Sequence, residues 1–233
     1  MFAGWLKFFK DVLFPIFCVE CGKEGKWWCE DCLKKQKVSG VFLCPVCHTE
    51  TANGEVCEKC ARESYLDGVS SFFIYDEKMP AGKLIRGFKY NYATDIAELW
   101  KKIIFNNAIF DKNWRGVSAE IIIPVPLHPR RERERGFNQA KILADIFAKK
   151  LFLPVVADGL VRARYTAQQA KLAKIERRKN IEDAFVWKKN SSPPERIILV
   201  DDVFTTGATM QECAKVLKQN GAKFVWGVVL ARG

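Results

Sequence analysis

An apolar run, Ile197-Ile-Leu-Val200, ends in two adjacent carboxylates, Asp201 and Asp202, and continues as Val-Phe-Thr-Thr-Gly-Ala-Thr209. This order of residue types predicts a strand, a short loop and then a helix. The amides of such a loop point outwards and meet the positive end of the helix, which makes a cradle for a phosphate. Thr205, Thr206 and Thr209 add hydroxyl donors, and Gly207 lets the backbone approach closely. Asp201 and Asp202 stand where they accept hydrogen bonds from a sugar diol. The expected ligand is a sugar carrying an adjacent phosphate.

A second set of residues points to metal. Eight of the nine cysteines fall in residues 18–60 as four Cys-x2-Cys pairs: Cys18 and Cys21, Cys29 and Cys32, Cys44 and Cys47, Cys57 and Cys60. Each pair aims two sulfurs at one point, and two pairs complete a tetrahedral zinc site. Two structural Zn2+ sites are expected. Sequential pairing groups residues 18, 21, 29 and 32 apart from 44, 47, 57 and 60. Interleaved pairing groups 18, 21, 44 and 47 apart from 29, 32, 57 and 60. The repeated layout of the two halves favours the sequential form. His48 follows Cys47 and reads as a surface histidine rather than a substitute ligand. Cys213 stands alone in a helix and reads as a packed residue. Nothing in the sequence signals secretion, so a disulfide scaffold is disfavoured against metal binding in a reducing cytoplasm.

Three basic stretches complete the candidate chemistry. The segment Ile123-Pro-Val-Pro-Leu-His-Pro-Arg-Arg-Glu-Arg-Glu-Arg-Gly-Phe-Asn-Gln139 leaves the carboxyl end of a buried-type strand, the edge where open α/β sheets bind ligands. Of its four arginines, Arg130, Arg131 and Arg135 suit forked hydrogen bonds to pyrophosphate, with Asn138 and Gln139 beside them. Residues 162–180 hold Arg162, Arg164, Thr166, Gln169, Arg177, Arg178 and Asn180. They are too polar for a core and fit a flexible loop that closes over ligand. Lys83, Arg86 and Lys89, ahead of Tyr90 and Tyr92, form a basic–aromatic patch able to contact single-stranded DNA or to serve as a solvated helix face.

Together these motifs resemble a known family. Asp201-Asp-Val-Phe-Thr-Thr-Gly207 is similar to the signature with which type I phosphoribosyltransferases bind phosphoribosyl pyrophosphate (PRPP). Pro124-Val-Pro followed by Arg135-Gly-Phe-Asn-Gln139 resembles the ComF family, as does the run Arg162, Arg164, Thr166, Gln169, Leu172, Arg177, Arg178, Asn180 and Phe185. With the cysteine pairs in front, the resemblance covers nearly the whole chain. It implies that Asp201 and Asp202 hold the ribose hydroxyls, that Thr205, Thr206, Gly207, Ala208 and Thr209 hold the 5′-phosphate, and that Mg2+ accompanies PRPP. It also implies a cytoplasmic role in DNA uptake, with single-stranded DNA and uptake machinery such as a ComF-operon helicase as partners. If the chain transfers a phosphoribosyl group to an amine or base, Arg135, Arg164 and Arg178 are the candidate catalytic residues. No acceptor pocket is legible, and no glutaminase nucleophile. A sensor that binds PRPP without catalysis is the third reading.

The elements needed to position these groups are legible too. Strand-like runs at 69–75, 120–126, 196–202 and 223–231 alternate with helical stretches at 81–105, 138–150 and 209–220. That alternation implies an α/β fold, a mostly parallel sheet flanked by helices. The resemblance implies that these elements form a type I phosphoribosyltransferase-like domain, residues 66–233, behind a small N-terminal zinc-ribbon module, residues 1–65. The chain of 233 residues carries a net charge of +11, which favours an anionic partner. Residues 1–65 hold nine Lys/Arg and nine Asp/Glu, so residues 66–233, with 29 against 18, carry the whole excess. No run reaches the roughly 20 apolar residues of a membrane span. Phe8, Phe9, Val12 and Leu13 suggest a short helix, packed on its own protein or touching the inner face of the membrane.

Overall fold

The computed structural model describes residues 15–36, 38, 40–89, 93–107, 117–166, 180–188 and 190–233. The expected N-terminal helix around Phe8 to Leu13 lies outside them, as do Tyr90, Tyr92, Gln169, Arg177 and Arg178.

Four strands form one parallel sheet: β1 (Gly68–Ile74), β2 (Ile121–Pro124), β5 (Arg196–Phe204) and β6 (Phe224–Arg232), in the order β1-β6-β5-β2. β3 (Leu160–Arg162) and β4 (Phe185–Trp187) make a separate antiparallel ribbon. The helices are α1 (Glu30–Lys35), α2 (Pro80–Phe88), α3 (Ala93–Phe105), α4 (Pro129–Arg135), α5 (Gln139–Leu151) and α6 (Ala208–Gln219). The architecture is the expected α/β arrangement, a parallel sheet flanked by helices and preceded by cysteine-rich modules. The expected single helical stretch at 81–105 is two helices, and the segment after Pro126 contains α4. Pro129 opens α4, where its missing amide costs nothing, and Gly136, at φ 85°, closes it.

Side chains alternate across the sheet, so each strand feeds two cores. On β5, Ile198 and Val200 join Phe72, Trp226 and Val228 beneath α2, α3 and α5. Ile197 and Leu199 join Val69, Val225 and Val229 beneath α6 and the ribbon. Both faces are covered, as parallel sheets require. The charged groups of β5 are therefore confined to Arg196 at its start and to Asp201 and Asp202, past the end of its pairing with β2.

The cysteine-rich module packs into the same body. Cys18, Trp28, Cys29 and Cys32 belong to the core beneath α2 and α3. Trp28 lies 5.9 Å from Phe73, which lies 6.0 Å from Trp100. The second half of the module docks on β1 through bridges between Val41 and Ser71 and between Glu55 and Gly68. There Gly54, at φ 87°, brings its backbone so near β1 that an added Cβ would stand 2.3 Å from the Val69 carbonyl. Gln211 of α6 accepts the Tyr65 amide at 2.9 Å and donates to Ser64 at 2.9 Å, pinning the connection between module and sheet. Among the described residues no helix is long and apolar enough to cross a membrane.

Candidate functional site

The carboxyl ends of β5 and β2 open onto a cleft of about 360 Å³. Its floor is the turn from β5 into α6. Gly207 stands at the N-cap of α6 in the left-handed region, φ 72°, with no side chain of its own to cap the helix. A Cβ there would meet the Phe204 ring at 2.4 Å, so glycine is required on space as well as on conformation. The first amides of a helix have no partner within it. Here residues 205–209 line the cleft, and the Thr206 hydroxyl accepts the Ala208 amide at 3.4 Å, an arrangement of amides and hydroxyls that suits a phosphate.

The two acids stand at the edge of this turn. Asp201 Oδ1 accepts the Asp202 amide at 2.8 Å. Asp202 Oδ2 is buried and faces Lys89 Nζ at 2.8 Å, an ion pair rather than an aligned hydrogen bond, and it has no other partner among the described residues. Burial opposes the charge on Lys89, but the Asp202 carboxylate outweighs it and holds the lysine above its ordinary range, with Asp201 adding. Burial and the neighbouring Asp202 push Asp201 well above the usual carboxylate range.

The opposite wall comes from the segment after β2. Asn138 fixes it: Oδ1 caps α5 at the Ala140 amide (3.0 Å), and Nδ2 donates to the Val125 carbonyl (3.1 Å). This places Arg131, Arg135 and Gln139 on the cleft, with Arg162 from β3. Arg131 pairs with no carboxylate among the described residues. Gln139 Oε1 and Arg162 Nε are buried without partners among them. A cleft with backbone amides and hydroxyls of the phosphate-binding type on one side and arginines on the other suits an extended anion.

The structure therefore brings together Asp201, Asp202, residues 205–209, Arg131, Arg135, Asn138, Gln139 and Arg162. It does not bring in Arg130, which pairs with Glu134 at 3.0 Å and lies over the Tyr165 ring at 5.1 Å. Arg164 donates to the carbonyls of Asn180 and Glu182, and Thr166 accepts from Arg162. The basic patch is divided. Lys89 enters the cleft, Lys83 donates to the Val19 carbonyl at 3.1 Å, and Arg86 stays at the surface, 4.0 Å from Glu77. The sequence reading missed the place of Lys89 because helical spacing groups it with Arg86. It also missed Phe204 and Arg232. The buried Arg232 is pulled down to about 10 by burial, with Cys44 opposing, and its guanidinium lies 5.0 Å from the Phe204 ring.

The cysteines form two separate tetrads, Cys18/Cys21/Cys29/Cys32 and Cys44/Cys47/Cys57/Cys60, each with its sulfurs within 4.8 Å of one another. Pairing is sequential. Two sulfurs in each stand 3.7 Å apart, Cys21 with Cys29 and Cys47 with Cys57. A metal at the Zn–S distance of about 2.3 Å in tetrahedral geometry requires an S–S separation of about 3.8 Å, so the tetrads fit it. Burial opposes ionisation of Cys18, yet surrounding backbone amides bring it down to about 6, and Thr49 brings Cys47 to about 6. Bonds from neighbouring sulfurs, Cys29 foremost, push Cys32 up, and burial with neighbouring sulfurs pushes Cys60 up to about 12. Four crowded thiols do not all ionise alone, and a central dication removes that conflict. His48 is outside the tetrad, 3.4 Å from Arg232.

Two outcomes follow. The double variant Cys18→Ser, Cys29→Ser should hold one metal ion where the native chain holds two, since both residues serve one tetrad; elemental analysis showing loss of both ions would restore interleaved pairing. A carboxyl raised by folding favours the folded state only when protonated, so Asp201 opposes folding above the ordinary carboxylate range and ceases to oppose it below. Asp201→Asn should raise the melting temperature of the ligand-free protein at pH 7, and the gain should vanish as pH falls through that range.

No family model matches the chain. It is 31% identical over 203 residues to Competence protein ComFC of Bacillus subtilis, a match spanning 83% of the chain and 78% of that protein. It is 28% identical over 206 residues to DNA utilization protein YhgH of Escherichia coli (strain K12), spanning 86% and 88%. With Competence protein F of Haemophilus influenzae it shares 40% identity over 116 residues, about half of each chain, 48% and 51%. Likeness of this extent, together with the cleft and the paired cysteine tetrads, means that the chain belongs to the ComF family.

Proposed function

We propose that this protein is a DNA-uptake accessory protein of the cytoplasm that binds PRPP in the cleft and single-stranded DNA on its basic domain. The observation that carries the reading is the convergence of two adjacent acids, a helix start with glycine at its cap, and the guanidinium groups of Arg131, Arg135 and Arg162 on one cleft. The chemistry of that cleft matches PRPP group by group. Asp201 and Asp202 accept from the ribose hydroxyls. The amides and hydroxyls of residues 205–209 donate to the 5′-phosphate. Arg131 and Arg135, across the cleft, take the pyrophosphate through forked charge-assisted hydrogen bonds. Mg2+ supplies further charge neutralisation when it accompanies that pyrophosphate. Zn2+ suits the two all-sulfur tetrads, where it serves folding rather than chemistry.

The DNA half of the reading rests on charge and on the names of the relatives. Residues 66–233 carry the whole positive excess, while residues 1–65 are balanced before any metal is counted. Eight thiolates and two dications would make the cysteine module acidic, so the DNA backbone is expected on the other domain. Relatives named for competence and for DNA utilization support an uptake role, with the uptake machinery, including a helicase, as its setting.

Asp201→Asn combined with Asp202→Asn should abolish PRPP binding in calorimetry while circular dichroism stays native; unchanged affinity in the folded double variant would refute the cleft assignment. Pyrophosphate release from Mg-PRPP with a panel of amines and bases distinguishes transfer from binding alone. Single-stranded DNA should bind with an affinity that falls steeply with salt, and Arg86→Ala should weaken all sequences alike and lower the salt slope by about one. Salt-independent binding, or none, would remove DNA from the reading.

A further inference from the structure

Arg232, at the end of β6, is only 1% exposed, among the most buried large side chains of the protein. A buried cation needs compensation for the water it has lost. Among the described residues no carboxylate lies within ion-pair distance of it. Its guanidinium instead faces the second cysteine tetrad. Nη1 donates to the Leu43 carbonyl at 2.5 Å, and Nη2 donates to the Cys44 carbonyl at 2.9 Å. A zinc ion held by four thiolates carries two net negative charges, which a neighbouring guanidinium would offset.

The same side chain touches the phosphate loop. Its guanidinium carbon stands 5.0 Å from the centre of the Phe204 ring. That ring fills the space above Gly207, the residue that turns β5 into α6. The backbone adds two ties: the Gly233 amide donates to the Phe204 carbonyl at 3.0 Å, and the Tyr75 amide donates to the Arg232 carbonyl at 2.7 Å. Tyr75 lines the cleft. One residue thus joins the turn that holds Cys44, the aromatic support of the loop and the rim of the cleft. The first tetrad packs instead with Trp28 and Phe73 in the core beneath α2 and α3.

We propose that Arg232 is a positioning residue that couples the second metal site to the cleft: it is the counter-charge of the metal–thiolate centre at Cys44, Cys47, Cys57 and Cys60, and through Phe204 it sets the phosphate-binding turn. Metal at that site strengthens phosphosugar binding, and bound phosphosugar retains the metal, because coupling between sites is reciprocal. The ligand half of the coupling rests on the PRPP reading, whereas the metal half does not.

Zinc release from the full-length protein to a chromogenic chelator tests both halves, with the second-site phase assigned by its loss in Cys47→Ser. In Arg232→Met that phase should quicken about tenfold, the scale on which residues supporting metal ligands act. Arg232→Lys keeps the charge without the fork and should fall between. Saturating PRPP should slow the same phase in the native protein, and PRPP should bind Phe204→Leu more weakly than the native chain. Native release kinetics in folded Arg232→Met would overturn the counter-charge role. If that variant does not fold, Arg232→Lys decides it, with native release again counting against the role. Unchanged release on addition of PRPP that calorimetry shows to be bound would overturn the coupling. If the native chain binds no PRPP, the cleft reading and the coupling both fall, while the release rates of the Arg232 variants still decide its part at the metal.

Discussion

Burial of β5 on both faces is the constraint on which the rest of the molecule depends. The strand lies between β6 and β2, with helices over one face and α6 and the ribbon over the other. A central parallel strand of this kind tolerates no charge along its length, so its polar groups collect where it leaves the sheet. Asp201 and Asp202 occur at that point, and Gly207 follows within a few residues, because the chain must turn sharply to lay α6 back across the sheet. The site follows from this geometry: acids at the strand end, the amides of a helix start and a second strand end, that of β2, supplying the facing wall.

The electrostatics of the ligand-free cleft show what such a site costs. Two neighbouring acids share the strand end, and one of them is held in its raised state by burial and by the other. Lys89 answers Asp202 from across the cleft. Arg131, Arg162 and Gln139 carry capacity that the protein itself leaves unused. Stability is set aside locally in favour of complementarity to an anion bearing hydroxyls, as functional sites commonly do.

The cysteine module solves a different problem. So few residues cannot enclose a core, so its sulfurs and aromatics are joined to cores that already exist. The first tetrad sits against Trp28 and Phe73, and the second sits over the end of β6, against Arg232. The two halves repeat in sequence but are not equivalent in place. The second stands beside the turn that builds the phosphate site, and the first stands away from it.

What the sequence by itself determined was local. Period-two and helical patterns located the strands and helices, the order of residue types from Ile197 to Thr209 announced the acid-and-phosphate turn, and the Cys-x2-Cys spacing announced two tetrads. These signals are readable because each depends on residues within one or two turns of chain. Only the tertiary structure decided what depends on distant segments meeting. The sequence left sequential and interleaved pairing both open, and the packing of the module chose the sequential one. Helical spacing grouped Lys89 with Arg86, yet Lys89 stands just past the end of α2, at its C-cap, and meets Asp202, 113 positions along. Arg130 and Arg131 are adjacent in sequence, but α4 sends them to opposite sides, one to Tyr165 and one to the cleft. Arg232 carries no local signal at all; its meaning arises from Leu43 and Cys44, nearly the full chain away, because a buried charge is defined by what surrounds it and not by its neighbours in sequence.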